Sequence, residues 1–395
     1  MKQIGVGDAS IGPLEKKFVL DALNKQRLSY GKYHKNFEAE FGRLHNRKFA
    51  MFCNSGTSAL QVALHAMKIK YGWKDGDEVI VPALTFVATV NIVLQNGLKP
   101  VFVDVEQDYF EIDPSKIEKA ITKKTKAIIP VHIGGQPCDM DPIMKIARAN
   151  NLKVLEDSCE TMFAKYKGSP SGSWGDVSCF STYVAHILIT GVGGFATTND
   201  PELAILIKSL FNHGRDSIYL SIDDDKVSDK KTLFNIVSKR FRYEHIGYSY
   251  RSTELEAAIG YGQLKRYKNM IRKRQKNAGI LTDGLSDLKK YLQLPKIRKD
   301  TEHAFMFYPI VVKRGVDRNN LVNFLEENLI ETRYLLPLLN QPVYRKMFGD
   351  IESKYPVSKG LNKNAFYIGC HMSIGKKELD YVIKKFHEYF NTKKR

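Results

Sequence analysis

Between Asp77 and Asp157 short apolar runs alternate with amphipathic stretches, and this alternation limits the possible folds more than any other feature of the chain. Glu78-Val79-Ile80-Val81, Pro100-Val101-Phe102-Val103-Asp104, Lys126-Ala127-Ile128-Ile129-Pro130-Val131 and Lys153-Val154-Leu155-Glu156-Asp157 read as buried strands. Helical spacing fills Val87–Leu94 and Asp141–Asn150 between them. Strand, helix, strand at this pitch predicts a largely parallel sheet covered on both faces. Glu15–Leu23 and Thr57–Lys68, with apolar residues three and four apart, are predicted helices.

Beyond this region the character changes. Asp223–Lys231 is polar and charged and reads as a mobile loop, whereas Glu254–Lys268 resumes as a helix rich in Ala and Leu. Tyr308–Val312 reads as a strand, and Leu321–Asn328 and Glu378–Phe390 as helices, which suggests a smaller α+β lobe. The expected division is a large α/β domain over 1–250 and a small C-terminal α+β domain over 251–395. No internal repeat or low-complexity segment is present.

At 395 residues and 43% hydrophobic content the chain can build a large core. No apolar run approaches the roughly 20 residues of a membrane span, and Met1-Lys2-Gln3-Ile4 lacks a signal-peptide core, so a cytoplasmic protein is expected. The formal charge of +18 is spread along the chain rather than gathered into an arm. It therefore suggests a solvated basic surface or an anionic small substrate, not a nucleic-acid partner. Cys53, Cys138, Cys159, Cys179 and Cys370 form no C-x-C or C-x-x-C pair, so neither a disulfide framework nor a metal cluster is expected.

In open α/β sheets ligands bind beyond the carboxyl ends of the strands, and three polar segments qualify. Asn54-Ser55-Gly56-Thr57-Ser58 opens a helix and reads as a phosphate cradle or an ordinary N-cap. Glu156-Asp157-Ser158-Cys159-Glu160 ends a strand with carboxylates that could keep a heteroaromatic nitrogen protonated, or serve as a cap or an ion pair. Phe180–Gly194 contains Ser181, a hydroxyl for phosphate, and His186, a base titrating near neutrality. Taken alone, His186 reads first as a packed core histidine.

The order and spacing of these segments resemble the DegT/DnrJ/EryC1/StrS sugar aminotransferases, pyridoxal phosphate enzymes of fold type I, over nearly the whole chain. The resemblance runs through Gly31 with Phe37-Glu38, Gly56-Thr57, Pro82–Thr89, Pro130-Val131-His132, Glu156-Asp157 and Gly175-Asp176-Val177. It continues through Gly193–Asp200, His213-Gly214, Ile246-Gly247-Tyr248 and Glu256–Gly260. It implies an aspartate aminotransferase-like fold with a large, mostly parallel mixed sheet. It also implies that Gly56, Thr57 and Ser181 hold the cofactor phosphate, Phe86 stacks on the ring and Asp157 pairs with the ring nitrogen. Ser249 stands where the family often places an asparagine on the partner subunit's phosphate.

The departure is at His186. The matching family residue is the lysine that binds the cofactor covalently, and no lysine occurs from Phe180 to Asn199. Imidazole cannot take that covalent role, and a histidine preceded by Ala185 resembles the 3-dehydratase branch acting on nucleotide-linked 4-keto-6-deoxy sugars. Glu160, the His213-Gly214-Arg215-Asp216 segment and Glu331-Thr332-Arg333-Tyr334 are similar to that branch. His213, Arg215, Arg333 and Tyr334 are accordingly the expected substrate contacts. Ser217–Arg240 contains no cysteine, which favours the branch that lacks an iron-sulfur cluster and acts on GDP-4-keto-6-deoxymannose. The expected partners are a nucleotide-diphosphate sugar, L-glutamate and 2-oxoglutarate, with pyridoxal and pyridoxamine phosphate as cofactor forms and a homodimer with shared sites. A sugar aminotransferase that tolerates histidine and a non-catalytic cofactor-binding homologue are the alternatives.

Overall fold

The computed structural model describes residues 2–216 and 228–392. Seven strands form the main sheet: β1 (Phe49–Cys53), β2 (Glu78–Pro82), β3 (Lys99–Val103), β4 (Thr125–Ile128), β5 (Lys153–Asp157), β8 (Val177–Ser181) and β9 (Gly194–Thr198), with β6 (Lys165–Tyr166) and β7 (Ser169–Pro170) outside it. Their order is β1-β9-β8-β5-β4-β2-β3. Pairing from β3 through β8 is parallel, as expected, and β9 alone runs antiparallel, between β8 and β1. The strand expected over Lys126–Val131 stops at Ile128, because Pro130 has no N–H to continue the ladder. Val131 rejoins through a single bridge to Asp157.

Helices cover the sheet. Besides α1 (Pro13–Asn24) there is α2 (Lys32–Leu44), whose capping group is remote: the Glu254 carboxylate accepts the N–H groups of Gly31 at 2.9 Å, Tyr33 at 2.6 Å and His34 at 3.1 Å. A carboxylate there complements the positive end of the helix dipole and docks the Glu254–Leu264 helix against α1 and α2. α3 (Gly56–Tyr71) begins at the N-cap Ser55, whose Oγ accepts Ser58 N–H at 3.0 Å, and ends at Gly72 with φ 66°. α4 (Val87–Gln95) follows β2. The expected single helix over Glu254–Lys268 ends at Leu264, and a second spans Tyr267–Gly284. Arg266 between them is drawn to Glu15 and to Ser10 O.

The smaller sheet has the order β10-β12-β14-β13, from β10 (Leu292–Gln293), β12 (Tyr308–Val312), β13 (Thr332–Tyr334) and β14 (Ala365–Ile368). β11 (Thr301–Glu302) instead joins β6 and β7. The apolar cluster around the smaller sheet includes Ile4, which bridges Ile330, so the first residues of the chain are built into the second lobe. Of the loop expected over Asp223–Lys231, residues 223–227 lie outside the described ones, and Lys230 already begins a helix that runs to Lys239. No helix among the described residues is long and apolar enough to cross a membrane.

Candidate active site

The carboxyl ends of β1, β5 and β8 converge on the start of α3. A Cβ on Gly56 would lie 2.7 Å from Ser181 Cβ and 2.9 Å from Cys159 Sγ, and one on Gly194 would lie 2.5 Å from Gly56 N. Only glycines allow the helix start to press against both strands. The Gly56 and Thr57 amides belong to a first turn without helical acceptors, and the dipole adds positive potential there. With the buried Ser181 hydroxyl they make a compact anion cradle.

Asp157, 4% exposed at the end of β5, accepts Thr89 Oγ1 at 2.8 Å and Cys159 N–H at 3.2 Å. Burial pushes its carboxyl above the usual range, and the hydrogen bonds from Thr89 and Cys159 only partly oppose this. No ion pair among the described residues includes it. A cationic ring nitrogen would supply the missing countercharge. One turn before Thr89 stands Phe86, 57% exposed, an aromatic face beside the Asp157 network. Cradle, flat wall and uncompensated carboxylate fit the phosphate, ring face and ring nitrogen of pyridoxal phosphate.

Glu160 accepts Gly134 N–H at 3.0 Å, and its carboxyl is raised to about 7, first by burial and further by the charge of Asp157. The Glu156 carboxylate points away from this group of residues: Arg47, His132 and the amides of Gly172, Trp174 and Gly175 hold it, as a structural anchor beneath the site.

His186 lies on residues 182–193, which join β8 to β9. The loop is stiffened by the Thr182–Thr190 hydroxyl pair at 2.6 Å and by His186 N–H donating to Tyr183 O at 2.9 Å. Burial, then the charge of Arg274, lowers the imidazole to about 4, so it is neutral at physiological pH. Nδ1 is buried without a partner. A short relay of bonds joins His186 to Glu160. Arg274 donates to His186 O at 3.3 Å and to Met306 O at 2.8 Å, Met306 N–H donates to Gly134 O at 2.8 Å, and Gly134 N–H donates to Glu160.

The remaining expected residues separate into two groups. Ser249 is exposed, bridges Asn212 and lies one residue before Tyr250, whose carbonyl accepts Asn54 N–H at 2.9 Å. His213, with φ 63°, reaches Arg251 at 3.4 Å, and Arg215 donates to Arg240 O at 2.6 Å while lying near Phe241 and Tyr243. Ser249 and His213 border the β1–α3 turn through Tyr250 and Arg251, whereas Arg215 packs on the 240–243 segment. Arg333 pairs with Glu331 and lies opposite Tyr367, whose phenol is raised by burial and then by the charge of Glu160. Tyr334 projects from the other face of β13, 3.9 Å beneath Arg318 and bonded to Asn319 at 3.3 Å. Sequence reasoning missed Thr89 and Arg274. Thr85-x-x-x-Thr89 at helical spacing was a readable signal for the first; nothing local marks the second.

A model of the DegT/DnrJ/EryC1/StrS aminotransferase family matches residues 9–387. The GDP-perosamine synthase of Escherichia coli O157:H7 is 33% identical over the whole of both chains. The dTDP-4-dehydro-2,6-dideoxy-D-glucose 3-dehydratase of Saccharopolyspora spinosa is 32% identical over 94% of this chain and 83% of its own. The E. coli GDP-4-keto-6-deoxy-D-mannose-3-dehydratase with bound hydrated PLP superposes with a TM-score of 0.87 at 28% identity, covering 98% of this chain and 99% of that one. A GDP-4-keto-6-deoxymannose-3-dehydratase has also been solved with a trapped PLP-glutamate geminal diamine, at the same TM-score and identity over 97% and 99%. The chain belongs to the DegT/DnrJ/EryC1/StrS aminotransferase family and is a pyridoxal-phosphate-dependent, sugar-modifying enzyme of fold type I.

Proposed function

We propose that this enzyme is a 3-dehydratase of a nucleotide-linked, GDP-type 4-keto-6-deoxy sugar, giving a 4-keto-3,6-dideoxy sugar for surface polysaccharide with L-glutamate as amino donor. One observation carries this reading: the position of the family's lysine is a neutral histidine, with no lysine from Phe180 to Asn199. When bound in its pyridoxamine form, the cofactor supplies an amine for the C4 ketone and a ring that accepts electrons. Gly56, Thr57 and Ser181 hold its phosphate, Phe86 supports the ring face and Asp157 keeps the ring nitrogen protonated. With the cofactor and sugar bound, His186 would be the group that accepts a proton and donates it to the departing C3 hydroxyl, a transfer that a neutral imidazole can perform in both directions. Over the cycle the sugar loses one oxygen, and glutamate becomes 2-oxoglutarate and ammonia. Arg333 is suited to the anionic substrate, and the 213–215 and 249 segments to the far side of the site.

We place the enzyme in the cytoplasm as a homodimer with shared sites. Support for the dimer comes from Phe241, 81% exposed, and Ile246, 91% exposed, close in sequence to Ser249; apolar groups so open to water favour a protein partner. The sequence match to a GDP-perosamine synthase, named for an amino sugar, favours an aminotransferase as the second reading. Mass spectrometry of products from a panel of nucleotide 4-keto-6-deoxy sugars with glutamate separates the two. Loss of oxygen with ammonia release supports dehydration, and retained nitrogen refutes it. His186→Lys is expected to cut dehydration and yield some amino sugar; full dehydratase activity in that variant would overturn the role of His186.

A further inference from the structure

His186 is carried by the large lobe, yet the groups that grip it come from the small one. On one side Gly7 packs against Ala185, so closely that a Cβ on Gly7 would lie 3.0 Å from Ala185 Cα and 3.3 Å from its Cβ. Gly7 belongs to a strap tied to the small lobe at successive residues. Ile4 N–H donates to Leu329 O at 2.8 Å, its carbonyl accepts Glu331 N–H at 2.9 Å, Glu331 Oε2 accepts Val6 N–H at 2.7 Å, and His371 Nε2 donates to Gly5 O at 3.1 Å.

On the other side is Arg274, 3% exposed, in the helix Tyr267–Gly284. Its Nη1 donates to Phe305 O at 3.2 Å and Met306 O at 2.8 Å, and its Nη2 to His186 O at 3.3 Å. Its Nε is buried without an acceptor, and no ion pair among the described residues includes it. A buried guanidinium held only by carbonyls keeps its full field on its surroundings, because no carboxylate neutralises it.

We infer that Arg274 and Gly7 are positioning residues for His186, and that the uncompensated guanidinium bound to the His186 carbonyl disfavours a second positive charge on the imidazole. This rests on the reading of His186 as the proton-transfer group. The other charged or titratable groups around it are Tyr183 on its own loop, with ring centroids 6.0 Å apart, and Asp8, Glu331 and His371 around the strap. Burial is the larger cause of the lowered imidazole, and the charge of Arg274 adds to it in the same direction. Carbonyl bonds fix the loop, and the Arg274 charge adds to burial in lowering the proton affinity, so the two effects of Arg274 can be separated by substitution.

The test uses the cofactor-loaded enzyme with histidine-selective isotope labelling, His186→Asn assigning the resonance. Arg274→Gln should move the His186 titration, and the acid limb of kcat/KM, to higher pH. Arg274→Lys should keep that limb low while lowering kcat. Gly7→Ala, which must displace Ala185 by a few tenths of an ångström, should lower kcat by about tenfold with KM little changed. An unmoved His186 titration in Arg274→Gln would refute the electrostatic role. If that variant does not fold, wild-type kcat in Gly7→Ala refutes the positioning role instead. Full dehydration by His186→Asn would remove the functional reading, while the titration would still decide what Arg274 does.

Discussion

Replacing Gly56 with alanine tests whether the start of α3 is a cofactor cradle or merely a helix end. The new methyl would face Ser181 Cβ at 2.7 Å and Cys159 Sγ at 2.9 Å, about 1 Å inside ordinary van der Waals contact. Neither neighbour can yield easily. Ser181 is paired to Gly194 in the sheet, and Cys159 is tied through its amide to Asp157. The helix start must therefore move away from β8, at an overpacking cost of about 1–3 kcal/mol. The same movement pulls the Gly56 and Thr57 amides from the phosphate. Losing one charge-assisted bond at about 1.5–3 kcal/mol weakens cofactor binding by roughly 10- to 100-fold. Thermal unfolding of the unloaded protein reports the first effect, and absorbance titration with pyridoxal phosphate the second. A variant that binds pyridoxal phosphate within about twofold of the wild type would refute the cradle, whatever it loses in melting temperature.

Two further outcomes are expected. Glu160 has its carboxyl raised to about 7 from an ordinary 4.5, so the folded state retains a proton that the unfolded chain gives up. Its contribution is complete below about pH 4.5 and is lost as pH rises through 7. Glu160→Gln, which can still accept Gly134 N–H, should therefore melt higher than wild type at pH 8 but not at pH 5; equal gaps at both pH values would refute this. Arg298 pairs with Glu106 and, at 3.0 Å, with Glu111, far away in sequence, and it also lies 3.8 Å from Asp139. Arg298→Met strands two carboxylates in a largely buried place and should cost about 3–5 kcal/mol in a urea titration; a loss below 1 kcal/mol would show the cluster to be screened by water.

The parallel strands β2 to β5 were legible because burial on both faces leaves continuous apolar runs, and β2 and β5 fall within a residue of expectation, as does β12 in the antiparallel smaller sheet. β9 was not. Its Gly-Phe-Ala-Thr-Thr segment carries no mark of direction, and its antiparallel course depends on partners far away in sequence. α2 was missed as a helix although Tyr33, Phe37 and Phe41 recur every four residues, because its start is capped by Glu254 from another helix. In the site, the candidate residues could be picked from motif and spacing, and the fold brings the β1–α3 turn, Ser181 and the segment after β5 together. The partners that tune their proton affinities beside burial come from distant segments: Thr89 on Asp157 had a readable spacing but no sign of its partner, and Arg274 on His186 leaves no local pattern.

The pairing of Ser181 with Gly194 has a consequence for how such a protein can change. Residues 182–193 form an excursion that starts and ends on the same rung of the sheet. Changes within it leave the alignment of β8 and β9 untouched, whereas the cradle, aromatic wall and carboxylate sit on the framework that alignment secures. On the proposed roles, cofactor binding and reaction type would be carried by different parts of the chain, and a single residue in a closed loop would redirect the chemistry without disturbing the strands that hold the cofactor.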